Sequence, residues 1–280
     1  MKADANALTP AELAQLCDYL YQLTGMVYGE AKRYYVERRV ADRMAVHGDR
    51  AFGDYFARLR GASPEAEALI NAFTVNETYF YREEHQLRCL TRSLLPDIIK
   101  TKGPGERIRI WSSPCSTGEE AYSIGIWLLE HWPMVDAYNV EILGSDIDTD
   151  ALDAARRGKY GVRALSRLPA ETVDRYFEPA HQGEREIIED LKQSVAFTPV
   201  NLMQSSTVAA QGQFEVIFCR NVLIYFDEAA RARAVDNLYT SLKPGGYLCL
   251  GHTESMTRIS DRFKVCRFKD AVVYQRPAAS

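Results

Sequence analysis

The chain has 280 residues, 46% hydrophobic and 26% charged, with a formal net charge of -4. It can fill one large or two smaller cores, and no run approaches the roughly 20 apolar residues of a membrane-spanning helix. The acidic balance argues against bulk nucleic-acid binding, and the opening Met1-Lys2-Ala3-Asp4-Ala5-Asn6 carries no apolar leader, so the expected location is the cytoplasm.

Residues 1–75 carry helical signals throughout. Thr9-Pro10-Ala11-Glu12 sets an N-cap hydroxyl, a proline at the first helical position and a first-turn acid ahead of Leu13, Leu16, Leu20 and Leu23. Gly25, Gly29, Gly48, Gly53, Gly61 and Pro64 divide the region into helices near 10–24, 31–47, 51–60 and 64–76. A linker helix follows, and Lys102-Gly103-Pro104-Gly105 breaks it from what comes next. The expected organisation is a helical domain over 1–88 with its linker helix running to about 101, an α/β domain over 102–280, and a small β-subdomain inserted at 158–200.

Beyond the break, strand and helix patterns alternate. Runs at 107–111, 140–145, 194–199, 214–219 and 246–251 are nearly continuous in apolar residues, which suits parallel strands covered on both faces. Runs at 263–268 and 271–275, joined by Lys269-Asp270, predict an antiparallel hairpin. Within the insert, 165–176 has a helical pattern, 179–185 is a short polar loop, and 186–188 and 195–197 look strand-like. Six cysteines lie without CxxC spacing, which reads as buried thiols rather than a metal site.

The chemistry gathers in the stretch from Ile108 to Glu120. It reads as a buried strand, a tight turn of small residues, and a helix opening on two carboxylates; the next strand ends on Asp146-Ile147-Asp148. An acid at the tip of the second strand of a βαβ unit suits a ribose diol. Dinucleotide sites place a pyrophosphate on a glycine-rich turn, but here Gly118 is the only glycine and Glu119 and Glu120 would repel a polyanion. A cationic, phosphate-free nucleoside such as S-adenosylmethionine would be attracted to the same carboxylates. Each residue also has a structural reading. Glu119 and Glu120 suit a helix macrodipole, Asp146 and Asp148 suit the N-cap of a helix starting at 149 or 150, and Tyr225 and Phe226 suit a core.

Five motifs in order carry a resemblance. They are Asn76-Glu77-Thr78-Tyr79-Phe80-Tyr81-Arg82-Glu83, Cys115-Ser116-Thr117-Gly118-Glu119-Glu120-Ala121-Tyr122-Ser123, Ser145-Asp146-Ile147-Asp148, Phe218-Cys219-Arg220-Asn221-Val222-Leu223-Ile224-Tyr225-Phe226, and Leu242-Lys243-Pro244-Gly245-Gly246 with Gly251-His252-Thr253-Glu254-Ser255. In these the chain resembles the chemotaxis receptor glutamate methyltransferases, the CheR family. Departures are Pro114 for a small residue, Ala121 where proline is frequent, and Tyr81 where phenylalanine is common.

The resemblance implies a class I S-adenosylmethionine methyltransferase. Its fold would be an α/β, Rossmann-like, doubly wound, mostly parallel sheet with an N-terminal all-α domain and an inserted antiparallel β-subdomain of three strands. It puts Asn76, Thr78, Arg82 and Glu119 at the donor, Asp146 on the ribose hydroxyls, Asn201 and Leu202 around the adenine, and Asn221 and Val222 near the donor's centre. Arg82 and Tyr225 would be the catalytic pair, with no metal and with S-adenosylhomocysteine as product. The acceptors would be glutamates on the cytoplasmic helices of methyl-accepting chemotaxis receptors, converted to methyl esters in adaptation. A carboxylate acceptor is already ionised near pH 7, so alignment rather than a general base is what the transfer needs.

Residues 31–60 hold eight basic and four acidic side chains, a local excess of four cations in an acidic chain. Lys32, Arg39 and Arg43 fall within about 40° on a helix. This is either a solvated face or, as the resemblance implies, the surface that meets the acidic receptor helices. The short 179–185 loop suggests action without a C-terminal receptor pentapeptide tether, and the chain is expected to be a monomer that binds no nucleic acid. The other readings are a methyltransferase with another acceptor, a dinucleotide oxidoreductase, and a non-catalytic receptor-binding module.

Overall fold

The structure is a computed structural model that describes residues 7–60 and 64–278. The expected break at Gly61 and the residues 1–6 lie outside the described residues. The chain divides into two compact units: residues up to Val75 with Tyr225–Ala230, and Asn76–Ile224 with the residues from Arg231 onward.

In the first unit, helices α1 (Pro10–Thr24), α2 (Arg33–His47), α3 (Phe52–Arg60) and α4 (Glu65–Phe73) pack around Leu16, Leu20, Val36, Tyr55, Leu69 and Phe73. α1 begins where Thr9 and Glu12 form a capping box and ends at Gly25, whose φ of 72° closes the helix in the left-handed region. Segment 225–230 joins this unit through the Val27 N–H, which donates to the Tyr225 carbonyl at 3.1 Å, and a bridge between Met26 and Phe226.

The expected basic stripe is altered here. Arg43 Nη2 lies 2.5 Å from the buried Glu65 carboxylate, which also meets His47 and the Tyr55 hydroxyl. Burial raises the Glu65 pKa, but the bonds from Arg43, His47 and Tyr55 outweigh it and hold the group at about 2. Arg43 therefore serves packing inside the unit. Lys32 is not in α2 but ends a 3-10 turn, Glu30–Lys32, over the Tyr28 ring, and Arg39 lies over Tyr35 at 4.3 Å.

The second unit opens with α5 (Glu84–Cys89), a π-helical stretch Leu90–Leu94, α6 (Leu95–Ile98) and a 3-10 turn Ile99–Thr101. The expected single linker helix is thus broken. Pro96 has no N–H to give the carbonyl four residues back, and the bulge takes up that loss. Strands β1 (Arg107–Ser112) and β2 (Asn139–Asp146) follow with α7 (Glu119–His131) between them, then α8 (Thr149–Arg157).

The insert holds β3 (Lys159–Gly161), α9 (Val162–Leu165), α10 (Ala170–Tyr176), β4 (Glu184–Glu186) and α11 (Glu189–Gln193). Its sheet has two strands, β3 and β4, not the three that the resemblance implies. Gln182 and Gly183, with φ of 50° and 84°, turn the chain tightly between His181 and Glu184.

After β5 (Val195–Pro199), α12 (Ser205–Ala209), β6 (Phe214–Cys219), α13 (Glu228–Ser241) and β7 (Leu242–Leu250), β8 (Lys264–Arg267) and β9 (Val272–Gln275) form the hairpin. The seven-stranded sheet runs β5-β2-β1-β6-β7-β9-β8, with β5, β2, β1, β6 and β7 parallel and the hairpin antiparallel. All of β6 is buried, as a strand covered on both faces must be. This is the doubly wound, mostly parallel α/β arrangement read from the sequence. Strand order reverses between β1 and β6, so a ligand cleft is expected beyond their carboxyl ends.

Candidate active site

The turn after β1 is shaped by what crowds it. At Gly118, φ is 94° and a Cβ would come within 2.8 Å of the Ala155 methyl, so only glycine fits. The Ser116 N–H donates to Asp146 Oδ2 at 2.7 Å, and the Asp148 N–H to Asp146 Oδ1 at 3.0 Å. The Ser116 hydroxyl donates to Asn76 Oδ1 at 3.0 Å, while Asn76 Nδ2 donates to Asp148 Oδ2 at 2.6 Å. One network thus joins Asn76 to the tips of β1 and β2. Asp148 also caps α8 by accepting from the Ala151 N–H, the structural role the sequence offered it.

Asp146 is 5% exposed, and burial raises its pKa to about 6 against the lowering pull of the two N–H donors. The two adjacent glutamates differ. Glu120 Oε2 lies 2.5 Å from Arg220 Nη1, and its other oxygen accepts from the Ser112 hydroxyl at 2.7 Å. Glu119 is 4% exposed and accepts the Thr117 hydroxyl at 2.6 Å, and no cation pairs with it among the described residues. Burial raises its pKa. A buried carboxylate at the head of α7 with no ion-pair partner among the described residues, and a second, Asp146, at the tip of β2, suit a ligand carrying an ammonium and a diol.

Arg220 is the tie between motifs. It is 5% exposed, donates from Nη2 to the Arg82 carbonyl at 2.8 Å and lies 3.2 Å from Glu83, which in turn meets His252 Nδ1 at 2.7 Å. Arg82 Nη1 donates to the Glu77 carbonyl at 2.7 Å. Glu254 gathers the N–H groups of Asn221, Leu223 and Gly251 at 2.7–2.9 Å. Of the six non-glycine residues with positive φ among those described, four flank this site: Tyr81, Glu83, Ser116 and Asn221. Such backbone costs on the order of 1–3 kcal/mol each, and the ties from Arg220 and Glu254 hold it in place.

The remaining expected residues sit at strand ends. Asn201 follows β5, where its Oδ1 accepts the Met203 N–H at 2.9 Å, and Leu202 and Val222 are buried. Thr78 lies in the coil leading to α5 and is half-buried. Tyr225 belongs to the helical unit. Sequence reasoning missed Ser116, Thr117 and Arg220 as organisers, although all three lie inside motifs it had singled out.

Comparison with known proteins gives the family. Residues 76–272 match the family "CheR methyltransferase, SAM binding domain" and residues 11–74 match "CheR methyltransferase, all-alpha domain". The chain is 45% identical over 272 residues to "Chemotaxis protein methyltransferase 2" of Vibrio cholerae, covering 96% of this chain and 94% of that protein. It is 36% identical to the protein of the same name from Pseudomonas aeruginosa, over 90% of this chain and 89% of that one. "Chemotaxis protein methyltransferase" of Vibrio parahaemolyticus is 33% identical, over 97% of this chain and 98% of that protein. Matched in both its helical and its donor-binding parts, the chain belongs to the CheR family of S-adenosylmethionine-dependent methyltransferases.

Proposed function

We propose that the chain methylates glutamate side chains on the cytoplasmic helices of chemoreceptors, leaving methyl esters and S-adenosylhomocysteine. The observation that carries the donor half is the contrast between Glu119, buried without a counter-ion among the described residues, and Glu120, paired with Arg220. Glu119 would take the donor's ammonium, and Asp146 the ribose diol through whichever lone pairs its two N–H donors leave open. Asn201 and Leu202 would flank the adenine, with Asn76, Thr78, Asn221 and Val222 around the methionine portion. S-adenosylmethionine supplies the methyl on a sulfonium, and the electron pair of the broken carbon–sulfur bond stays on sulfur. The protein's task is to hold an ionised carboxylate in line at about 3 to 3.5 Å.

Arg82 would hold a carboxylate in its planar fork, and the Tyr225 hydroxyl would orient the nucleophile. Arg82→Ala and Tyr225→Phe are each expected to slow single-turnover methylation by at least about tenfold, the scale of a hydrogen bond to a charged group. Rates near wild type for both would remove the assignment.

Lys32 and Arg39 would meet the acidic receptor helices, with Arg43 held back by Glu65. Reversing both charges should raise KM for receptor severalfold while S-adenosylhomocysteine binds as before; an unchanged KM would discard this surface. With the turn at Gln182 and Gly183 so tight, action without a receptor-tail tether is expected. Titration with a tail pentapeptide should therefore give no saturable heat, and clear saturation would reverse the reading. The chain would act in the cytoplasm as a monomer, sedimenting at its 31.7 kDa; among the described residues no helix is long and apolar enough to cross a membrane.

A further inference from the structure

The Tyr81 backbone flanks the site above, but its hydroxyl has no part in it. The residue is 7% exposed, and that hydroxyl is buried with no hydrogen-bond partner. The side chain is fixed in place. Its ring meets Trp127 edge-on at 5.2 Å, and its backbone N–H donates to the Ser123 hydroxyl at 3.0 Å. A phenol so held cannot turn out to solvent, and it lacks an acceptor.

Tyr81 lines a cleft of about 410 Å3 beside α5 and the second half of α7, within the range of about 300–1,000 Å3 that takes small organic ligands. Its charged lining is mostly cationic. Arg88, Arg92 and Arg167 line it with one acid, Glu84, and His131, while Glu130, outside the lining and bound by Arg175 and Tyr176, also acts on the Tyr81 hydroxyl. Arg88 already pairs with Glu84 and, at 3.4 Å, with Asp270. Arg92 and Arg167 are exposed and have no ion-pair partner among the described residues. Trp127 and Pro169 supply apolar wall. Trp127 lies eight residues beyond Glu119, about 12 Å along α7, so the cleft is separate from the donor carboxylates.

We propose that this cleft binds a small organic oxyanion, a carboxylate or phosphate on an apolar body, with the Tyr81 hydroxyl and the guanidinium groups of Arg92 and Arg167 as its donors. A phenol and two arginine forks are all donors and suit one multi-oxygen acceptor. Trp127 and Pro169 pack the body. The exposed side chains of Arg92, His131 and Arg167 at the rim are the parts that shift as the acceptor comes within reach of the hydroxyl. The inference does not depend on the methyl acceptor proposed above.

Calorimetric titration of the full chain with phenyl phosphate, benzoate and inorganic phosphate tests it. One of the two aryl anions is expected to bind saturably at one site and more tightly than inorganic phosphate, and which one does so separates phosphate from carboxylate recognition. Tyr81→Phe should weaken that binding about tenfold or more, Arg167→Gln severalfold, and saturating S-adenosylhomocysteine should not compete. Tyr81→Phe removes only a hydroxyl that has no hydrogen-bond partner, so the variant should fold, with thermal melting as the check. Absence of saturable binding by all three anions, or binding by Tyr81→Phe and Arg167→Gln equal to wild type, overturns the proposal.

Discussion

Asp146→Ala is expected to weaken S-adenosylhomocysteine binding by at least about 100-fold, since two hydrogen bonds to a charged group are each worth about 1.5–3 kcal/mol. The far-ultraviolet circular dichroism should be retained, because the sheet does not hang on this side chain. A pH signature distinguishes the carboxylate from a general loss of shape. Burial raises the Asp146 pKa to about 6 in the free protein, and a diol donates to the ionised form. Protonation therefore competes with the ligand, and affinity in the wild type should fall by up to about tenfold per pH unit below 6 and level off above about 7. In Asp146→Ala that slope should become shallower, leaving only the part that protonation of Glu119 contributes. Wild-type affinity flat from pH 5 to 8, or near-native binding by the variant, would show that Asp146 does not hold the ribose.

Arg220→Ala should be the most damaging substitution to stability. It would leave the Glu120 carboxylate without its cation at the centre of the fold and remove a partner from Glu83. Breaking one side of a buried pair costs about 3–5 kcal/mol, enough to lower the denaturant midpoint clearly. Methyl transfer should fall further than stability alone explains, because Arg220 also holds the Arg82 carbonyl. Changing Glu120 to Gln in the same chain should recover part of the stability, since the uncompensated charge is then gone, but not the transfer rate. A midpoint within experimental error of wild type for Arg220→Ala would contradict the buried tie.

What the sequence made legible was local chemistry. The strand, small-residue turn and acid-headed helix from Ile108 to Glu120, and the acid at the end of the next strand, depend on residues close together in the chain, and each lies where that pattern predicts. The pairing of Arg43 was not legible because its partner, Glu65, is 22 residues away on another helix; a helix-face projection sees spacing but not the neighbour that packs on it. The organising residues were hidden for the same reason. Arg220 lies 100 residues from Glu120 and 138 from Arg82, and Ser116 is 40 from Asn76. The break in the linker helix was readable in hindsight from Pro96, since a helix interior does not take proline without losing a hydrogen bond. The third strand of the insert came only from the family pattern, and the two-stranded sheet shows the limit of carrying a pattern over whole.

The central claim is that this chain esterifies receptor glutamates from S-adenosylmethionine. Incubating it with methyl-labelled S-adenosylmethionine and receptor-containing membranes tests this most directly. The expected result is label on a receptor-sized band that mild base releases as methanol, and that is lost with Asp146→Ala. Label that resists base, or that appears only on another acceptor, would contradict the account.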